Sequence, residues 1–487
     1  MHAFSRNFAA LPSLTALVFR QRAFRFGYAV LDEAHLVKNR TAQRARRLRH
    51  VLGRAAAHRL MLTGTPLQND LAELLALLEL LMPSLFDGRG ALLDEAELKR
   101  AGRGGDASAR TIARVRHLLG PFVLRRLKRE VLQQLVPKTQ VTQAIAPTEA
   151  QSALYSAALS AVRAEVAAKA AAKAASAAGG ADVERVVGAA RLKALFTYLR
   201  KVANHPLLVR HRYSDADVAE VSRLCALRGV FGADAPPKKV REHGESLSDF
   251  ALHALCSDPR LGGALLHRRL PSDAALDSGK ARFLAQLLPQ LASIGSRPLI
   301  FSQWKIMLDV LEWVMAELKL SFFRLDGSTP VEERQALVDA YNAPNSTTFA
   351  FLLSTRAGGQ GINLTGADTV ILHDCDFNPQ IDRQAEDRSH RLGQTRPVTV
   401  YRLVTQDTVD AKIVAIAERK LSLDAAVLAA DDDTGGDAEP TGDGKASRAA
   451  EARSMAALLQ GLLAEGEASE AAAAAAPSLV IRDTKDD

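Results

Sequence analysis

The sequence predicts an α/β protein built on two parallel sheets, the first incomplete, with helical insertions between them. Three observations carry that expectation. Short apolar runs at Tyr28-Ala29-Val30-Leu31 and at 58–62 each end on carboxylate, hydroxyl or glycine residues. Buried parallel strands do this when a site lies at their carboxyl ends. From Asp277 onward five more apolar runs alternate with helical segments, the pattern of a parallel sheet closed by right-handed crossovers. Between the two lies a long stretch of helical spacing.

Taken in order, the first strand delivers Asp32 and is followed by an Arg- and Ala-rich helix over 40–52. The second strand delivers Thr63-Gly64-Thr65-Pro66. Asp70 then caps a helix whose leucines at 71, 74, 75, 78 and 81 recur at helical spacing, and Pro83 marks its end. Residues 87–110 are Gly- and charge-rich and predict a loop. Helices are expected over 111–119 and 124–135, the second basic through Arg125, Arg126, Lys128 and Arg129; it reads equally as a solvated face or as a DNA or inter-lobe contact. Residues 148–200 are helical, with an Ala/Lys repeat at 163–178 expected as an exposed spacer. Residues 211–250, with Pro236-Pro237-Lys238-Lys239, read as a surface insertion. The five later strands are expected at 297–302, 321–325, 349–353, 369–373 and 398–404. With two strands only, the first lobe is left with naked sheet edges and a half-built core.

Charge narrows the partners. The net charge of +8 divides into −8 over 431–487, from thirteen acids and five basic residues, and +16 over 1–430. A basic body suggests a polyanion, nucleic acid before others. The acidic, Gly-rich tail after Leu423 predicts disorder, interrupted by a short amphipathic helix at 454–463. Three cysteines without C-x-x-C spacing argue against a zinc site or a disulfide framework and fit a reducing compartment. No apolar run approaches the length of a membrane span. The first thirty-one residues hold no acid and several arginines, as a transit peptide does; their direct run into the first strand favours a remnant of a larger domain.

Four strings carry chemistry. Asp32-Glu33-Ala34-His35 closes an apolar strand and is followed by Leu36-Val37-Lys38-Asn39. Thr63-Gly64-Thr65-Pro66-Leu67-Gln68-Asn69 closes the second, where small residues let another backbone approach. Ser354-Thr355-Arg356-Ala357-Gly358-Gly359-Gln360-Gly361-Ile362-Asn363-Leu364 places three glycines after a buried strand. In Gln384-Ala385-Glu386-Asp387-Arg388-Ser389-His390-Arg391-Leu392-Gly393-Gln394, a predicted helix puts two arginines on one face, where both can converge on one anion.

In this order the strings resemble the Swi/Snf-type branch of the superfamily-two helicase-related ATPases, over about 24–428 of the chain. Ser248-Asp249-Phe250-Ala251-Leu252-His253 and Leu276-Asp277-Ser278-Gly279-Lys280 bring it nearest to the Fun-thirty/Etl-one group of SWI/SNF-related DEAD/H-box remodellers. The resemblance implies two RecA-like lobes, ATP and Mg²⁺, duplex DNA, nucleosomes and other chromatin proteins as partners, no membrane, and a nuclear location. It gives Asp32 as the Mg²⁺ carboxylate, through water, and Glu33 as the residue that activates water. Arg388 and Arg391 become arginine fingers, each worth about a thousandfold or more in turnover. Gly359, Gln360, Gly361, Asn363 and Gln384 border ATP. His35, Thr63, Gly64, Thr65 and Pro66 couple nucleotide to the DNA track. Ser302, Gln303, Asp326, Gly327, Ser354 and Thr355 face DNA. His373, Asp374 and Asp376 are expected as cleft-lining structure in preference to a metal site, and His205 as a structural residue.

One departure governs the functional expectation: no G-x-x-x-x-G-K-[ST] phosphate loop occurs in the sequence. Asp277-Ser278-Gly279-Lys280 lacks the earlier glycines and the hydroxyl after Lys. The expectation is therefore an N-terminally truncated remodelling ATPase with crippled turnover, or else a non-catalytic DNA- or partner-binding fragment; an RNA helicase of the same superfamily is the third reading. The expected division is a partial first lobe over 1–124, a helical linker over 125–276, the second lobe over 277–428 and the tail over 429–487.

Overall fold

The computed structural model describes residues 26–37, 39, 42–63, 71–86, 117, 120–124, 126, 135–174, 189–232, 234–358 and 361–428. They fall into two compact units, one holding the described residues of 1–125 and 419–450, the other those of 126–418.

In the first unit, strand β1 (Phe26–Leu31) pairs in parallel with β2 (Ala56–Met61), Tyr28 opposite His58 and Val30 opposite Leu60. The helix Gln43–Ala55 makes the crossover, and Leu71–Leu81 packs beside it. Ala34, Val37, Ala45, Leu52, Leu77 and Leu80 form its small core. Arg59 ties the layers by donating to the carbonyls of Leu52, Leu80 and Leu81, near the carboxyl ends of two helices. The expected strands are present within two residues at each end. Pro83 opens a further short helix, Pro83–Phe86, after the expected stop, as its fixed φ allows at a helix start. Asp70, the loop at 87–110 and the tail beyond 428 lie outside the described residues, as does most of 124–135; Leu124 and Arg126, which are described, are not helical.

The second unit is built on a six-stranded, all-parallel sheet in the order β3-β8-β7-β4-β6-β5. Its strands are β3 (Lys138–Ile145), β4 (Pro298–Ser302), β5 (Phe322–Leu325), β6 (Ala350–Ser354), β7 (Thr369–Leu372) and β8 (Val398–Thr405). Central β4 and β7 are buried at every residue, because helices cover both faces. Ile300 sits opposite Leu352 on one side and Ile371 on the other. Five strands match the expectation closely. The sixth, β3, is a finding: the sheet expected to begin at 277 takes its outer strand from a segment far earlier in the chain, paired in register with all of β8.

Residues 211–250, expected as a surface insertion, belong to a helical module with helices Asp215–Leu227, Pro237–Glu245 and Asp249–Cys256. The module has its own core of Tyr213, Val218, Val221, Cys225, Val240, Leu252, Cys256 and Leu261. Buried Asp249 staples it by accepting from the backbone N–H of His211, Arg212 and Tyr213, and Gly244 lets two helices touch, since a Cβ there would lie 2.2 Å from Ser222 Oγ. The helix Glu149–Ala174 packs its first half, ahead of the Ala/Lys repeat, into a core with Leu195, Leu199 and Ile413.

Candidate nucleotide and nucleic-acid site

In the first unit β1 ends at Leu31 and the chain turns sharply, with Ala34 N donating to Leu62 O. Asp32 and Glu33 are exposed at that turn. Glu33 is held at φ 50°, a left-handed conformation that side chains other than Gly rarely adopt, while its N–H donates to Asp32 Oδ1 at 2.9 Å. Such strain concentrates at functional turns. His35 lies in the following 3-10 turn, and Thr63 is half-buried after β2. Gly64, Thr65 and Pro66 lie outside the described residues.

In the second unit, the parallel topology brings the ends of β4, β5, β6 and β7 to one edge, and with them Ser302, Asp326, Thr355 and Asp374. These groups are largely committed to one another. Ser302 Oγ donates to Asp374 Oδ2 at 2.5 Å, and Gln303 N to Asp374 Oδ1 at 2.9 Å. Asp326 accepts from Ser328 N and Oγ and from Arg324. Burial alone would raise the Asp326 carboxyl; Ser328 and Arg324 overcome this and hold it at about 2. Asp374 and Asp326 thus fix the loops that follow β4 and β5. Thr355 differs: it is 2% exposed, and its hydroxyl has no hydrogen-bond partner, nor do the buried Gln303 Nε2 and Trp304 Nε1. Arg200 and Lys201 each lie 5.7 Å from the Trp304 ring centroid. Lys305, exposed at the start of the next helix, reaches Ser328 Oγ. Gly327 presents an open backbone, with nothing where a Cβ would stand.

His373, Asp374 and Asp376 follow β7 at the carboxyl edge of the sheet. His373 and Asp374 are buried, and among the described residues no three His, Cys, Asp or Glu side chains converge as a metal cage. Burial, with Lys280 close by, keeps His373 neutral, its pKa far below the ordinary range. Lys280 is itself fully buried and donates to Asn204 Oδ1, to the His373 carbonyl and to Asp410 Oδ2. Asp376 Oδ1 accepts from Asn378 N and shapes the entry to the helix Pro379–Glu386. His205 is structural, with Nε2 on Ala275 O and Nδ1 accepting from Leu207 N.

The paired arginines are corrected in one respect. Their helix stops at Glu386, so Arg388 and Arg391 sit in the turn that follows. At that end the Glu386 side chain is bound to the sheet edge by Lys138, Gln140 and Arg402, and Ser389 and His390 both turn back to the Glu386 carbonyl. Each arginine folds onto the carbonyl four residues earlier, Arg388 Nε on Gln384 O and Arg391 Nε on Asp387 O. Arg388 is 4% exposed, donates from Nη1 to Ile362 O, and its own carbonyl accepts from Leu364 N. The turn and the glycine loop are therefore one assembly, with Gly361 at φ 69° and Asn363 held by Asn342. Gln384 is half-buried beside it and Gln394 closes it, donating to Ala367 O at 2.6 Å. Gly359 and Gln360 lie outside the described residues. Lys138, Gln140 and Arg402 went unremarked in the sequence, and Lys280 was noted only as the end of Asp277-Ser278-Gly279-Lys280; the mostly polar Lys138-Thr139-Gln140-Val141 carries no strand periodicity that would have pointed to β3.

A family model for the SNF2-related domain matches residues 15–208, and one for the helicase conserved C-terminal domain matches 279–393. The chain is 45% identical over 407 residues to Protein CHROMATIN REMODELING 19 of Arabidopsis thaliana, covering 84% of this chain and 52% of that one. It is 40% identical over 408 residues to ATP-dependent helicase fft2 of Schizosaccharomyces pombe, covering 82% and 31%. With the human SWI/SNF-related matrix-associated actin-dependent regulator of chromatin subfamily A containing DEAD/H box 1 it shares 37% over 406 residues, 83% and 37% of the two chains. The chain thus spans between about a third and about half of the length of these relatives. Among solved structures, the C-terminal part of the Fun30 ATPase domain superposes with a TM-score of 0.56 at 30% identity, covering 69% of this chain and 99% of that one.

Proposed function

The chain belongs to the SNF2-related, SWI/SNF-type family of chromatin-remodelling ATPases, and from that premise we propose that its residues serve an ATP-dependent translocase acting on nucleosomal duplex DNA in the nucleus. The observation that carries this reading is the joining of the Arg388–Arg391 turn to the Ile362–Leu364 loop. It sets both arginines in one turn, Arg388 bonded to the backbone of the glycine loop and Arg391 partly exposed beside it, the kind of assembly that can neutralise phosphoryl charge. In this reading Asp32 holds Mg²⁺ and Glu33 orients the attacking water. A single exposed carboxylate suits Mg²⁺, which takes few protein ligands and draws the rest from nucleotide phosphate and water. The ion supplies charge neutralisation between phosphates.

The DNA-facing part rests on the edge that carries Gln303, Trp304, Lys305, Thr355 and Arg200. Unpaired buried donors next to cations suit a sugar-phosphate backbone, and contacts of that kind carry little sequence information. Gly359, Gln360 and Gln384 complete the nucleotide side of the proposal, and His35 with Thr63–Pro66 the coupling side.

The chain contains no Walker-type phosphate loop, which favours a second reading: a DNA-binding fragment with little turnover of its own. DNA-stimulated ATP hydrolysis by residues 1–487, with Arg388→Ala and Arg391→Ala beside it, separates the two. Turnover that rises with duplex DNA and falls about a thousandfold in either variant sustains the translocase. Absent turnover with salt-steep duplex binding sustains the fragment. Stimulation by RNA in preference to duplex DNA sinks both.

A further inference from the structure

Glu386 is a buried carboxylate that the finger chemistry does not use. Its side chain is fully enclosed, yet both oxygens are engaged from two strands: Lys138 Nζ at 2.9 Å and Gln140 Nε2 at 2.7 Å from β3, and Arg402 Nη2 at 2.8 Å from β8. These partners lie 248, 246 and 16 residues away in sequence. Burial by itself would raise the carboxyl; Lys138 and Arg402 reverse that and keep it ionised. An enclosed carboxylate with two cations is an expensive arrangement for stability alone, since a packed apolar side chain does as well or better.

Its position suggests what it does. Glu386 is the last residue of the helix Pro379–Glu386, and its carbonyl accepts from Ser389 N, Ser389 Oγ and His390 N. His390 Nε2 also meets the Val136 carbonyl at 2.8 Å, just ahead of β3. The turn holding Arg388 and Arg391 is thus pinned at its root to the sheet edge.

We propose that Glu386 is a positioning residue, clamped by Lys138, Gln140 and Arg402 so that the turn after it holds Arg388 and Arg391 in the geometry phosphoryl transfer needs. This rests on the arginine-finger reading above. Glu386 touches neither nucleotide nor DNA. It acts through the turn. Misplacing a charged group by about 1 Å is enough to cost on the order of a hundredfold in rate.

The test compares the full chain with Lys138→Met, Glu386→Gln and the conservative Lys138→Arg, reading amide hydrogen exchange by peptide and DNA-stimulated ATP turnover. In Lys138→Met and Glu386→Gln, exchange across 387–394 rises about tenfold or more while 298–302 stays protected. In the same two variants kcat falls about ten- to a hundredfold and the KM for ATP moves less than about twofold, as for a contact made only in the transition state. Lys138→Arg restores both readouts. Unchanged exchange at 387–394 overturns the clamp. Loosened exchange with unchanged kcat overturns the positioning role and leaves a structural brace. A wild-type chain without turnover withdraws the finger reading, and the clamp is then judged by exchange alone.

Discussion

The molecule contains two parallel sheets written in the same residue alphabet, with opposite outcomes. β4, Pro-Leu-Ile-Phe-Ser, is buried at every position. β1, Phe-Gly-Tyr-Ala-Val-Leu, leaves Tyr28 72% and Val30 58% exposed, and its neighbour β2 leaves Leu60 49% exposed. Apolarity therefore does not decide burial. A strand is buried on both faces only when a wide sheet gives helices room to pack on each side. Six strands do so; the two described in the first unit do not. Both sheets nonetheless deliver polar residues at their carboxyl ends, so the site logic survives where the core does not.

The largest effect that sharpens this comparison is a matched truncation. Phe301→Ala removes a fully buried ring that lies against Gly358 and is expected to cost about 3–5 kcal/mol. Val30→Ala removes an exposed side chain and is expected to cost no more than about 0.5 kcal/mol. Urea denaturation followed by tryptophan fluorescence reads the second unit, because both tryptophans, Trp304 and Trp313, belong to it; far-ultraviolet circular dichroism reads the whole chain. Equal losses from the two variants would break the comparison.

The next effect is acid sensitivity confined to the second unit. His205 is wholly buried, and burial first of all lowers its pKa from 6.5 to about 4. The unfolded chain then binds a proton that the folded one refuses. Stability is complete above pH ~6.5, falls as pH drops, and the loss finishes near pH 4, with about 3 kcal/mol at stake. His253, lowered to about 4 chiefly by burial and stacked on Trp313 at 4.4 Å, adds in the same direction. A fluorescence-detected urea midpoint that holds constant from pH 7 to pH 4.5 contradicts this assignment. His205→Gln, which has nothing to protonate there, flattens the slope.

The difference between the sheets also explains how much the sequence disclosed. Five of six strands in the second unit are legible because each is a short apolar run bounded by turn residues. β3 is not: it lies on the sheet edge, is polar at five of its eight positions without alternation, and joins a partner more than 250 residues away, as Lys138 opposite Val398. Register across such a distance leaves no local trace. The helical module over 211–276 is obscured by its Pro, Gly and charged residues, while its core comes from spaced small contributions such as Val240 and Leu261. In the site, the residue types are visible and their commitments are not. Ser302 and Asp326 look like phosphate ligands, and only the fold shows that Asp374 and Arg324 already engage them. The arginine pair looks helical because its spacing is helical; the helix stops at Glu386, and the pair sits in the turn that follows. Long-range ion pairs are the hardest to see, since each partner reads locally as a surface charge.

The smallest effect tests the exposed sheet itself. Tyr28 and Val30 point two apolar side chains outward from the same strand, alternate residues sharing one face. An apolar patch on a two-stranded sheet invites pairing with another chain. Tyr28→Ser and Val30→Thr together remove little buried area, so the urea midpoint of the second unit is expected to stay fixed. Self-association, read by light scattering against concentration, is expected to fall, because the free energy that drives it is the burial of those side chains, about 25 cal/mol for each Å² covered. If association is unchanged, the patch is not what chains meet through, and the contrast between the sheets is one of packing alone. If association falls and duplex binding is retained, the exposed face is separable from the edge of the second unit proposed to meet nucleic acid, and the two sheets carry independent surfaces.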